Sequence, residues 1–342
     1  MKYSIKSFGN YKDQEYHEII ITNDDVNISF SDFGARINQW KINNEQIILG
    51  YQDVHQAILG ETYYYGATLG RVAGRIDKAE FSIDGQQYLL TKNNGDNQLH
   101  GGGGLSDKKW TYEIEETDDA ITVTFEIVDQ HLSDGYPGNL HIKVRHRYNV
   151  NNQWSVHYEA ISDQKTIFNP SNHVYFNLNG NNTKNILNHD LWIDADAYLP
   201  VRADGVPTGE IVSVDGSAFD LRKPTRLASI VTSEDDQIIL KKGLDHPFKL
   251  NGKQTPILKL VSEDNHRSIS VTTDRSGVVV YTHNYADVPL DIWGNPLQVF
   301  AGVAIETQEF PDAVHHENFG STVLKANEKF KATTTYQLAY ES

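Results

Sequence analysis

Apolar side chains recur at every second position over long stretches of this chain, and that period limits what it can fold into. Ile121, Val123, Phe125 and Ile127 alternate with Thr122, Thr124 and Glu126. Positions 142, 144, 148 and 150 repeat the pattern, with Lys143, Arg145 and Arg147 opposite. Trp154, Val156 and Tyr158 follow, and Phe330, Ala332, Thr334, Tyr336, Leu338 and Tyr340 share one face near the C-terminus. One buried and one wetted face means antiparallel sheets, not a parallel α/β core. Asp84-Gly85 and Asn151-Asn152 separate such runs and read as hairpin turns. Helical period is scarce; Tyr51–Leu59 is the one short candidate. The expected fold is therefore all-β, a large antiparallel β-sandwich. A length of 342 residues suggests roughly two domains, yet large all-β units run past about 200 residues as one. No Pro/Ser-rich linker, charge block or repeat divides the chain. A single domain over 1–342 is expected, with a split near 180–190 as the alternative. The polar stretch there, NGNNTKN, reads better as a long loop.

Thirty Lys and Arg against 46 Asp and Glu give a net charge of −16. Such a surface repels phosphate backbones and anionic lipid, so neither nucleic acid nor a membrane is an expected partner. The N-terminal MKYSIKSFGN has no apolar run of the signal-peptide kind, and no stretch of about 18 apolar residues occurs. Cysteine is absent, which excludes disulfides, thiolate metal sites, iron–sulfur clusters and a cysteine nucleophile. A soluble cytoplasmic protein is the simplest expectation.

Five segments could carry chemistry. In NNGDNQLHGGGG (93–104), His100 precedes four glycines, a run that costs entropy and asks for a close backbone approach. A flexible loop with an incidental histidine is the competing reading, and the dinucleotide spacing G-x-G-x-x-G is missing. In NPSNHVYFNL (169–178), His173 follows a polar entry and precedes a buried run, so it is either a core residue or an imidazole at a strand mouth. In GLDHPF (243–248), Asp245 either faces a ligand or caps a turn. In AIETQEFPDA (304–313), Glu306 ends an apolar stretch, so it is either a partly desolvated carboxylate, a better base near neutral pH, or a strand-end glutamate in water. In GRVAGR (70–75), an arginine in irregular backbone could fork onto vicinal hydroxyls, whereas in a helix the two arginines would form a solvated face. Fourteen histidines invite a metal, but no ligand spacing of the usual kind is present, and no G-x-S-x-G elbow supports a serine triad.

Taken in order, GRVAGRI, NQLHGG, DGYPG (134–138), NPSNHVYFNL, GLDHPF and ETQEFPDA resemble the aldose 1-epimerase family, the galactose mutarotases, across essentially the whole chain. The resemblance implies the galactose-mutarotase type of β-sandwich, with Glu306 as general base and His173 as general acid. It implies His100 beside the ring oxygen, Arg75 and Asp245 holding hydroxyls, and Tyr281 as the aromatic neighbour of the sugar. A free monosaccharide is the implied small-molecule partner, no cofactor or metal is needed, and the protein is a monomer or homodimer. Gly74 stands where many members have Asn, and Val279 where some have Gln; both bear on sugar preference. His315-His316 departs from the pattern. DGYPG reads as a turn without a chemical role. Alternatives from other classes are a non-catalytic carbohydrate-binding protein, a glycoside hydrolase using Glu306 with Asp245, and an epimerase specialised for a disaccharide such as maltose or for a sugar phosphate.

Overall fold

The computed structural model describes residues 1–252 and 255–341. Three antiparallel sheets dominate. A nine-stranded sheet runs Thr111–Glu116, Ala120–Asp129, Leu140–Asn149, Gln153–Ser162, Lys329–Tyr340, Arg267–Thr273, Leu258–Val261, Asp190–Ile193 and Thr225–Arg226 in spatial order. The alternating runs seen in the sequence are its central strands. Val123, Phe125, Val144, Trp154, Val156 and Tyr336 point inward from them. Val150 is a difference: it lies 44% exposed in the turn after its strand rather than on the apolar face.

A five-stranded N-terminal sheet supplies Ile19, Ile21, Ile28, Phe30, Ile37 and Trp40 to the same core. Trp40 meets Trp154 edge to face at 6.0 Å, and Trp154 stacks on Tyr336 at 4.5 Å. Aromatic pairs of this kind add about 0.5–1.5 kcal/mol beyond the area they bury.

The third sheet positions the site. Its six strands are Tyr175–Phe176, Val303–Gln308, Gly277–Tyr281, Asp245–Leu250, Ala195–Tyr198 and Val212–Ser213. Val278, Val280, Val303 and Ile305 from one face join the core. The opposite face carries the polar residues, because side chains alternate along a strand.

Asp84-Gly85 and Asn151-Asn152 lie in hairpin turns. The helix within Tyr51–Leu59 covers Val54–Leu59, starting where the Asp53 carboxylate accepts from the Gln56 N–H at 2.8 Å. Two further short helices, Leu227–Val231 and Asp236–Lys241, are not evident from the sequence period. The 179–185 stretch is a loop, held where Asn181 accepts from the Gln46 N–H and from Asn295 Nδ2. Among the described residues no helix is long and apolar enough to cross a membrane.

Candidate active site

Antiparallel register gathers four of the six expected site residues onto or beside one sheet face. Asp245 is paired with Tyr281, Pro247 with Val279, Val279 with Glu306, and Tyr281 with Ala304, which in turn faces Tyr175. Directly opposed residues project to the same side, so Asp245, Tyr281, Val279 and Glu306 form a continuous floor. His173 joins it from the chain between the strands Ser171–Asn172 and Tyr175–Phe176. Its backbone is tied on both sides, its N–H donating to Ala67 and its carbonyl accepting from Gly66. The imidazole stacks on Tyr175 at 4.9 Å.

The opposite wall comes from the first two motifs. Arg75–Ile76 pairs with Gln98–Leu99, and the His100 N–H continues the link by donating to the Gly74 carbonyl at 2.9 Å. Gly74 answers with its own N–H, which donates to His100 Nδ1 at 3.1 Å. With Nδ1 accepting, the hydrogen of a neutral imidazole sits on Nε2, so His100 presents a donor. Gly74 has φ +77°, and a Cβ there would come 2.7 Å from Pro311 Cβ. That contact accounts for glycine at this position in this chain. Gly101 is equally constrained: a Cβ would lie 1.8 Å from the Gly70 carbonyl oxygen. The glycine run after His100 is thus a close crossing of two backbones, and His100 is held rather than loose.

All six expected residues, Arg75, His100, His173, Asp245, Tyr281 and Glu306, line one cavity of about 180 Å³. The two arginines of GRVAGR part company. Arg71 is buried away from it, its guanidinium bonded to Asp129 Oδ2 at 2.7 Å and to the carbonyls of Pro137 and Gly138. Arg75 reaches the cavity, donating from Nε to Asn94 Oδ1 at 3.0 Å, with Nη1 3.9 Å from Asp245 Oδ2.

Burial is deeper than the sequence suggests. Glu306 is the fourth of six residues in Val303–Gln308, not a strand-end group, and is 3% exposed. His173 is 4% exposed; the pair sits in a buried pocket rather than a solvated cleft. The imidazole Nε2 lies 3.5 Å from Glu306 Oε1. Burial pushes the Glu306 carboxyl up to about 8; the negative charge of Asp245 adds to this, and Arg75 opposes it. Burial pushes His173 down to about 3 and His100 well below the ordinary imidazole value. Donor atoms of His100, His173 and Glu306 all lie within 4.8 Å of one another. That is close enough to grip a cation by distance, but the Nε2 hydrogen of His100 leaves no lone pair facing the cavity.

Several lining residues were not singled out from the sequence: Thr62, Tyr64, Lys241 and Tyr285 among them. Tyr64 packs edge-on to His100 at 4.9 Å. Lys241 and Asp245 stand four apart in the chain, the one local signal that could have linked them. His315 and His316 lie outside the cavity and both address Asp312, at 2.6 and 3.4 Å. They brace a carboxylate whose Oδ1 also accepts from the Asp77 N–H. Tyr136 of DGYPG is buried, its hydroxyl donating to Gln98 Oε1 and its ring 5.6 Å from the Arg71 guanidinium.

The family model described as aldose 1-epimerase matches residues 17–337. The chain belongs to the aldose 1-epimerase family. It is an enzyme of that type, an isomerase of carbohydrate metabolism. It is 34% identical to the galactose mutarotase of Bos taurus over 328 residues, 93% of each chain. It is 29% identical to the maltose epimerase of Levilactobacillus brevis over 356 aligned positions, 98% of this chain and 99% of that one. The crystal structure of galactose 1-epimerase from Lactobacillus acidophilus NCFM superposes with a TM-score of 0.91 at 30% identity, covering 100% of this chain and 99% of that one.

Proposed function

We propose that this chain, acting as one domain over residues 1–342, interconverts the α and β anomers of free aldohexoses such as galactose and glucose. The observation that carries the reading is the buried His173–Glu306 contact at the floor of a cavity that Arg75, Asp245 and Tyr281 also line. A cyclic aldose is a hemiacetal. Ring opening takes the proton from the C1 hydroxyl, delivers one to the ring oxygen, and breaks the bond between C1 and that oxygen. The aldehyde then rotates about C1–C2 and closes on its other face. Nothing is transferred to or from the sugar except protons, so one acid and one base suffice.

Glu306 serves as the base at the C1 hydroxyl and His173 as the acid at the ring oxygen, with the His100 Nε2–H as a second donor there. Near neutral pH the pair holds one proton, resting on the carboxyl. Hydrogen bonds from bound sugar favour the ionised carboxylate, because bonding to a charged form stabilises that form. Moving that proton to His173, whose Nε2 lies 3.5 Å from Glu306 Oε1, gives the working form of the pair. Arg75 and Asp245 hold hydroxyls, and Tyr281 packs against the sugar. The net charge of −16 fits a cytoplasmic enzyme with a neutral small-molecule partner, working as a monomer or homodimer. Polarimetry of freshly dissolved α-galactose, α-glucose and maltose tests the reading. Dialysed, EDTA-treated protein should speed the approach to equilibrium for at least one of them. Unchanged rates for all three would leave a carbohydrate-binding protein on the same scaffold.

A further inference from the structure

Lys241 is the one charged group lining the cavity, among the described residues, that the six site residues leave out. It closes the helix Asp236–Lys241, whose start is capped by the Asp235 side chain accepting from the Gln237 N–H. Lys242 turns into left-handed backbone and ends the helix. The Lys241 carbonyl accepts from Asn284 Nδ2 at 2.8 Å, and the same amide nitrogen donates to the Leu244 carbonyl at 2.9 Å. The lysine is thus anchored through its backbone to the chain just beyond the strand carrying Tyr281. Its side chain is only 8% exposed, and its Nζ lies 3.1 Å from Asp245 Oδ2.

A buried ammonium is costly to keep unless it is paired. Asp245 pairs with it, but one carboxylate oxygen satisfies one of its three donors. Arg75 stands farther from the same oxygen, at 3.9 Å, so Lys241 is the nearer of the two cations. A hydroxyl group both donates and accepts. An ammonium beside a carboxylate offers the complementary pair, one giving a hydrogen bond and the other taking one. Two guanidinium donors could not do this alone.

We propose that Lys241 is a substrate-binding residue that, together with Asp245, clamps a single hydroxyl or vicinal pair of the sugar and so sets which aldoses are accepted. This rests on the sugar-epimerising reading above. In it, Asp245 accepts the hydroxyl hydrogen while Lys241 donates to a hydroxyl oxygen, and the interaction persists from bound sugar through ring opening. Its loss therefore falls on KM more than on kcat.

The test is steady-state polarimetry of Lys241→Met and wild type on galactose and on its 2-, 3-, 4- and 6-deoxy forms. Met keeps the buried stem of the side chain and removes the donors. A hydrogen bond to a charged group corresponds to roughly ten- to hundredfold in affinity, so KM for galactose should rise by about that factor. One deoxy sugar should be poor for wild type yet suffer little further loss in the variant, because its missing hydroxyl and the missing ammonium are the same contact. Lys241→Gln, which keeps a donor, should recover part of the loss and stands in if the methionine variant does not fold. A wild type active on galactose, with the same set of deoxy penalties in all variants, overturns the assignment of Lys241 alone. A wild type inactive on every sugar overturns the epimerase reading itself.

Discussion

His173 Nε2 stands 3.5 Å from Glu306 Oε1, and both side chains are almost wholly removed from solvent. Burial destabilises the charged form of each: it raises the carboxyl and lowers the imidazole. Between about 3 and about 8 the pair therefore carries one proton. A site with one proton has both an acid and a base; a site with none has lost its acid.

The pH dependence follows. As pH rises through about 8, Glu306 releases the shared proton while His173 is already neutral. After subtraction of the uncatalysed rate, kcat/KM should fall above that pH, approaching a tenfold drop for each pH unit. A profile flat to pH 10 would mean that the pair is not the proton reservoir.

Stability should move in the opposite sense in the glutamine variant. The folded carboxyl titrates above its ordinary 4.5, at about 8. Its contribution to stability is complete below 4.5 and is lost as pH rises through 8. Glu306→Gln cannot ionise, so its Tm relative to wild type should increase between pH 4 and pH 9. An equal Tm difference at both pH values would show that Glu306 is not held protonated by burial.

Arg71 and Arg75 stand four apart but should fail in different ways. Arg71→Ala leaves Asp129 with Lys108 as its remaining cation and several carbonyls without a donor. Losing the buried partner and those bonds should cost up to about 3–5 kcal/mol, visible as a lower urea midpoint. Arg75→Ala should fold with a much smaller loss and lose about five- to hundredfold in kcat/KM, since an unmatched buried hydroxyl costs about 1–3 kcal/mol. Equal stability losses in the two variants would remove the distinction.

The sheets were legible because the strands of the nine-stranded sheet have one wetted face, and Thr122, Lys143 and Arg147 record it. The strand of Glu306 was harder to read. Val303, Ala304 and Ile305 give no alternation, because one face meets the core and the other lies under the cavity. Depth of burial, and with it the raised carboxyl, depends on Val279 and Tyr175 from other strands. The separate fates of Arg71 and Arg75 were hidden for a similar reason: Asp129, 58 residues away, claims one of them. Lys241 was missed because its helix is six residues long and shows no amphipathic period. Its meeting with Asp245 is made by the turn that follows.

Tyr136 gives a control on the DGYPG turn. Its hydroxyl serves Gln98 and its ring packs over Arg71. Tyr136→Phe should lose about 1 kcal/mol of stability, the ordinary contribution of one hydrogen bond, with turnover nearly unchanged. A loss of more than about tenfold in kcat, equivalent to 1.4 kcal/mol in the barrier, would mean that this turn communicates with the site.

Polarimetric kcat for α-galactose in wild type, Glu306→Gln, His173→Asn and the double variant bears on the proton-sharing pair itself. Acid and base groups contribute about 10²–10⁴-fold each, so each single variant should lose at least about a hundredfold while still folding. His100→Asn should lose less than His173→Asn. The double variant should lose less than the product of the single losses, because both groups act on one hemiacetal. A folded Glu306→Gln protein that keeps more than about a tenth of the wild-type rate, less than 1.4 kcal/mol of barrier, would contradict the assignment and make Asp245 the better candidate for the base.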